Sequence, residues 1–204
     1  MTDISHVLLA SASPRRHELL TSLGIVVSVL RSGFDELDDP ALAPITLARL
    51  NAIGKRNAVR DHAHGQDLLL IAADTVVDVD GVAFGKPRDA SEATRMLSLL
   101  SGRSHLVHSA VALRLPDGRM IDFLESTLVT FERLDHDEIA AYVASGEPMD
   151  KAGAYGIQGR AASLVRKIDG DFYTVMGFPI AAFVRAIRDA GLRLSPTNPT
   201  HPLP

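Results

Sequence analysis

The turn Ser11-Ala12-Ser13-Pro14-Arg15-Arg16 puts two hydroxyls and two guanidinium groups at the start of a predicted helix. Unpaired backbone N–H groups and the positive end of the helix dipole attract phosphate at such a place. Ser11, Ser13, Arg15 and Arg16 add donors suited to phosphate oxygens. The same residues equally describe a capped surface helix with solvated arginines. Asp74 is the second group. It follows the apolar run Leu68-Leu69-Leu70-Ile71-Ala72-Ala73 and is expected at the C-terminal mouth of a buried strand, where open α/β sheets bind ligands. A carboxylate there holds a divalent cation or takes a proton from water, or else merely caps the chain as it leaves the sheet.

Three further candidates are weaker singly. Lys86 stands between Gly85 and Pro87, which stiffen the backbone enough to aim it at a ligand; alone, a loop lysine is usually solvated. Asn51 and Lys55 lie one helical turn apart and face either one cleft or solvent. The stretch Asp150 to Gly159 carries three glycines and two alanines, a composition expected to hold no core and to let backbone approach a ligand closely. Within it Lys151, Tyr155 and Gln158 offer a charge, a stacking ring and an amide that reads hydrogen-bond edges. The eight histidines show no metal-ligand spacing, and His62 and His64 read as surface residues. Neither phosphate-loop fingerprint occurs in a strand–helix context, and no G-x-S-x-G is present.

These groups need a scaffold. Val7 to Ala10 reads as a strand buried on both faces, followed by a helix with Ser13 as N-cap, Pro14 in its first turn and Gly24 as C-cap. A second helix is predicted from Pro44 to Arg60, with Leu47, Leu50 and Gly54 on one face. Leu68 to Val79 reads as a buried strand, with a hairpin turn at Asp80-Gly81. Asp89 and Glu92 have capping-box spacing before a helix that Gly102 ends. His105 to Leu115 and Met120 to Leu134 form a long antiparallel hairpin, and Asp135 with Glu138 caps the next helix, which ends near Gly146. Leu164 to Val175 is expected to fold back at Asp169-Gly170, and the last helix runs from Pro179 to Gly191. Helices interleaved with buried strands and hairpins predict an α/β fold with a mixed sheet. Residues 1–194 are expected to form one α/β domain and 195–204, rich in proline, a floppy tail.

Composition removes whole classes of function. The 204 residues are 46% hydrophobic and 23% charged, the balance of an ordinary globule. Lysine plus arginine number 21 against 25 acidic residues, a net charge of −4, which argues against long nucleic acid as a partner. There is no cysteine, so disulfides, thiolate metal sites and cysteine nucleophiles are excluded. No apolar run approaches the roughly 20 residues of a membrane span, and Asp3, Arg15 and Arg16 interrupt any secretory apolar segment. A cytoplasmic location is expected.

In order along the chain, Leu9 to Arg16, Ala73-Asp74-Thr75-Val76-Val77, Gly85-Lys86-Pro87, Asp150 to Gly159 and Gly170 to Pro179 resemble the Maf family of nucleoside triphosphate pyrophosphatases, also described as septum-formation inhibitors. The resemblance spans Val7 to Gly191. It implies hydrolysis of a nucleoside triphosphate to the monophosphate and pyrophosphate with a divalent cation such as Mg2+ or Mn2+. It also implies an elongated mixed-sheet fold like that of inosine triphosphate pyrophosphatases, two lobes around a cleft, and often a homodimer. Asp74 matches the proposed proton acceptor, and Glu36, Lys55 and Lys86 match the other charged cleft residues. Arg15, Thr75 and Gln158 match positions tied to substrate choice. The Asp74-Thr75 pair and Ala154 to Gly159 look like the branch acting on dTTP and UTP. A pyrophosphatase of 7-methyl-GTP or other non-canonical triphosphates and a nucleotide-sensing regulator of cell division are the rival expectations. On this reading Glu36 and Asp74 hold the cation or orient water, while Arg15, Arg16, Lys55, Lys86 and Lys151 supply positive charge to the phosphates. The chain departs from the family at Gly54-Lys55-Arg56, where relatives more usually have Lys-Ala, and at Phe172, Tyr173 and Phe178.

Overall fold

In a computed structural model, which describes residues 1–59 and 68–197, the apolar runs become the interior strands of a seven-stranded mixed sheet. Strand β1 (Thr2–Ile4) is followed by β2 (His6–Leu9), α1 (Pro14–Thr21), β3 (Val26–Val29) and α2 (Pro44–Val59). The middle of the chain supplies β4 (Leu69–Val79), β5 (Val82–Phe84), α3 (Ala90–Leu100), β6 (Ser104–Arg114), β7 (Met120–Phe131) and α4 (His136–Ala144). The last part adds β8 (Val165–Asp169), α5 (Phe172–Met176), α6 (Ile180–Asp189) and β9 (Leu192–Leu194). The order β3-β2-β4-β6-β7-β8 starts parallel and turns antiparallel beyond β4. Helices α1 and α2 are the crossovers of the parallel part, and β1 pairs with β9 apart from the main sheet.

Strand alternation assigns the faces of β4. Leu69, Ile71 and Ala73 enter a core with Leu19, Leu20, Phe178 and Phe183. Further along the same face, Val77 and Val79 enter a second core with Met96, Leu97, Leu100, Phe131 and Tyr142. The opposite face packs against α2, with Leu70 and Ala72 near Val59 and Val76 against Leu47, Ala48 and Ala52. One strand therefore crosses from one core to another. Asp74 and Thr75 lie at the waist between them, where no apolar cluster claims the position.

Sheet pairing opens a gap at that waist. On the edge of β4 away from β6, β2 pairs as far as Leu9 with Ile71, and β5 pairs from Phe84 with Val77. The interval Ala72–Val76 has no strand on that edge among the described residues. The apolar run predicts Asp74 at the end of its strand. It lies near the middle instead, because the run of buried residues continues through Val76, Val77 and Val79.

Most of the remaining expectations map closely. Ser13 caps α1, whose last residue is Thr21; Ser22 takes the C-cap and Gly24 turns the chain at φ +78°. At α4 both halves of the capping box form, but at α3 Glu92 turns to Arg88 and leaves Asp89 to cap alone. On α2, Leu47 is buried while Leu50 is exposed. The reversal expected over Leu164–Val175 takes another form. Strand β8 ends at Asp169, and Asp171 then caps helix α5 by accepting hydrogen bonds from Thr174 N and Oγ1 at 2.7 and 2.8 Å. Ser195 N and Thr197 N donate to Ile4 and Gly24, fastening the chain as far as Thr197. His62, His64, Arg60 and the segment from Asn198 onward lie outside the described residues.

Candidate active site

A cleft of about 1210 Å3 opens at the waist. Its walls come from the Ser11–Arg16 turn, the segment before α2, the middle of β4, the Gly85–Lys86 corner and the glycine-rich stretch. Its centre is a buried charge cluster. Lys55 Nζ lies 2.6 Å from Asp74 Oδ1 and 2.6 Å from Glu36 Oε1. Asn51 Nδ2 donates to Asp74 Oδ2 at 3.3 Å. Asn51, Lys55 and Asp74 are only 3%, 6% and 6% exposed, so the cluster interacts with little screening. Asn51 and Lys55 thus face one site, as their spacing allowed.

Glu36 joins this cluster from a segment without helix or strand, and about half of its side chain is exposed to the cleft. Burial alone pushes its carboxyl up, but the Lys55 hydrogen bond and the charges of Lys55, Lys86 and Arg16 prevail and hold it below the ordinary glutamate range. Lys86 itself is exposed on the rim. The Gly85 carbonyl accepts from Gly153 N at 3.0 Å, tying its corner to the glycine-rich stretch.

Arg16 holds the waist together. It is buried, donating through Nε to the Gly177 carbonyl at 2.9 Å, through Nη1 to Ser11 Oγ at 3.1 Å and through Nη2 to Thr75 Oγ1 at 3.0 Å. Burial pushes its guanidinium down, and Asp74 and Glu36 oppose that. Thr75 Oγ1 also meets Ser109 Oγ at 2.9 Å, and Ser109 Oγ donates to the Thr174 carbonyl. Ser11 and Ser13 serve the turn: Ser11 Oγ accepts from Ser13 N, and Ser13 Oγ from Arg16 N. These contacts turn a stretch that reads as a row of phosphate donors into a braced corner.

Arg15 and Lys151 meet on Asp150. Arg15 Nη1 lies 2.9 Å from Asp150 Oδ2, and Lys151 Nζ 2.6 Å from Asp150 Oδ1. Asp150, the first residue of the glycine-rich stretch, links the α1 corner to the 3-10 turn Glu147–Asp150 across the cleft. Gln158 is exposed at the cleft wall.

The glycine-rich stretch does hold core, contrary to its composition. Ala154, Tyr155 and Ile157 are buried. Tyr155 is no ligand-stacking ring: its hydroxyl meets His105 Nε2 at 2.7 Å, and its ring packs edge-on against Phe131 and His105. Gly153 allows this, because at φ +68° a Cβ there would come within 2.8 Å of Val77 Cγ2. The sequence carries no signal for Ser109 or for the Gly177 carbonyl, since they act through tertiary contact alone.

Among the described residues no group of three or more acidic or histidine side chains gathers as a metal cage. Glu36 and Asp74 nevertheless form a hard oxygen pair, which fits the habit of Mg2+ to take one or two carboxylates and complete its shell with phosphates and water.

A mixed sheet with a cleft at a break in its edge, lined by arginine and lysine as well as acidic side chains, defines an α/β protein with a site for a small charged ligand. Comparison with known proteins narrows the class. The family described as Maf-like protein matches residues 6–190, and the chain belongs to it. A Bacillus velezensis protein named dTTP/UTP pyrophosphatase is 46% identical over 187 residues, 92% of this chain and 97% of that one. Proteins of the same name from Geobacillus sp. and Bordetella pertussis are 43% and 44% identical, covering 92% and 93% of this chain and 100% and 95% of their own lengths. Among solved structures, the Staphylococcus aureus Ham1 protein is a partial likeness at TM-score 0.43 and 14% identity, covering 62% of this chain and 71% of its own.

Proposed function

We propose that this protein hydrolyses dTTP and UTP to the nucleoside monophosphate and pyrophosphate. The observation that carries the reading is Lys55 Nζ at 2.6 Å from both Asp74 and Glu36 in the floor of the cleft. The relatives' names support the substrate class. In this reading water attacks the α-phosphorus. A bond forms from the water oxygen to phosphorus, the bond to the bridging oxygen toward the β-phosphorus breaks, and pyrophosphate leaves. Asp74 takes the water's proton, with Asn51 and Lys55 fixing the direction of its oxygens. A divalent cation, held by Glu36 and Asp74 together with the phosphates, would neutralise charge on the phosphate oxygens.

Lys86 on the rim and Lys151 in the glycine-rich stretch offer positive charge to the triphosphate. Arg15 can turn from Asp150 to a phosphate, since both partners are at the surface. Arg16 is assigned to keeping the corner in shape, because each of its nitrogens already donates. Gln158 meets the carbonyl and imide edge that uracil and thymine share and that cytosine inverts.

A panel of dTTP, UTP, CTP, ATP, GTP and 7-methyl-GTP, assayed for pyrophosphate with Mg2+ or Mn2+, tests the proposal. Preferred release from dTTP and UTP is expected. Faster turnover of 7-methyl-GTP, or no turnover at all, would overturn it.

A further inference from the structure

The segment 30–43 carries Glu36 to the cleft yet has no helix or strand of its own and is largely exposed. Between its ends, where Leu30 N donates to the Leu9 carbonyl and Leu42 packs near Leu47, its placement around Glu36 rests on one stripe of α2. Asn51 clips it with two hydrogen bonds: Leu37 N donates to Asn51 Oδ1 at 2.8 Å, and Asn51 Nδ2 donates to the Leu37 carbonyl at 3.2 Å. Lys55 pairs with Glu36 one turn on. Between these contacts in the stripe stands Gly54, and the ring of Phe34 lies against it. A Cβ on Gly54 would fall 2.3, 2.4 and 2.8 Å from Phe34 Cζ, Cε2 and Cε1. Residues 51, 54 and 55 follow the i, i+3, i+4 spacing of a single helix face.

Glycine inside a helix is unfavourable, and Gly54 is not among the residues with positive φ, so backbone conformation does not call for it. What calls for it is room. The ring of Phe34 occupies the space of the missing side chain, two residues before Glu36. We propose that Gly54 and Phe34 are positioning residues, a notch and the ring that fills it, which set Glu36 against Lys55 and Asp74. The inference rests on the reading of Glu36 and Asp74 as the hydrolytic site.

Gly54→Ala, Phe34→Ala and the double variant test this with three readouts: hydrogen exchange at the Leu37 amide, kcat and KM for UTP, and Tm. The methyl group that Gly54→Ala introduces meets only the far end of a partly exposed ring, so the ring yields and the helix stays folded. We expect Gly54→Ala to lose protection at Leu37 by about tenfold or more, as local opening does. Its kcat should fall by about tenfold with KM changed far less, the pattern of a misplaced group. Phe34→Ala should do the same, and the double variant no worse than either single one, because both remove one contact. If Gly54→Ala raises Tm and leaves Leu37 protection and kcat unaltered, glycine there is only tolerated and the proposal fails. Multiplied losses in the double variant would also overturn it. Should the wild type hydrolyse no nucleoside triphosphate, the functional reading falls, while exchange at Leu37 still decides whether the notch holds the segment.

Discussion

Asp74 shows how much a single position can carry. It is a buried carboxylate flanked by an ammonium and an amide, in the middle of a strand whose buried residues are otherwise apolar. Burying a charge there is tolerable only because it is paired. Asp74→Asn keeps the size and an acceptor for Lys55, which Glu36 still pairs, but turns an N–H toward the Asn51 amide, so the variant should fold with a somewhat lowered Tm. Loss of the proton acceptor should lower kcat by about 10²- to 10⁴-fold; a variant near wild-type rate would remove Asp74 from that role. Gln158 works differently. It is exposed and contributes no core, so Gln158→Ala should retain UTP turnover within a few-fold. The UTP to CTP ratio, measured side by side, should narrow toward unity, and an unchanged ratio would clear Gln158 of reading the base. Asp74, Lys55 and Lys86 are visible in the sequence as types in a suggestive setting. Glu36 is visible only through likeness to a family, because nothing near it marks a site: its partner Lys55 sits on another element, reached only through the tertiary fold.

At the scale of elements, the glycine-rich stretch is held by what it buries. The Tyr155 hydroxyl and His105 join it to β6, and burial pushes the His105 imidazole down to about 4. The group is neutral when folded and charges more readily when unfolded. Stability therefore stands in full above the unfolded value near 6.5, declines as pH falls toward 4, and loses no more from this group below that. The total is about 3 kcal/mol. A Tm profile between pH 7 and 4 should flatten in His105→Gln relative to wild type, and parallel profiles would exclude His105 as the source. The elements themselves are largely legible, since buried strands and capped helices announce themselves locally. The stretch after β8 is not, because Asp169-Gly170 turns the chain equally well into a strand or into a helix, and the Asp171 cap decides for helix α5. Nor can the glycines of residues 153–159 be told from a loose loop, since the side chains they make room for, Val77 at Gly153, Lys151 at Gly156 and Glu147 at Gly159, are brought there by the fold.

For the whole molecule, β4, β6 and β7 matter most. They bring residues to both large cores, so the two cores share the sheet as a common wall, although α1 and α6 pack only in one and α3 and α4 only in the other. Unfolding one should unravel strands of the other, and calorimetry should record a single transition with equal calorimetric and van't Hoff enthalpies. Two resolved transitions would show the cores to be separable. The break in the sheet edge has another side. An unpaired strand edge invites a second chain to add itself and begin a ribbon of misassembled copies. Here Ala10 N donates to the Ile71 carbonyl at 2.7 Å, and β5 resumes pairing at Val77. Only Ala73 and Thr75 then direct main-chain groups into the break, because alternate residues face alternate edges. Two residues recessed among fixed cations are too short a template for a strand. The opening thus refuses polypeptide by its shape, and under the proposed function it leaves room for a compact triphosphate instead.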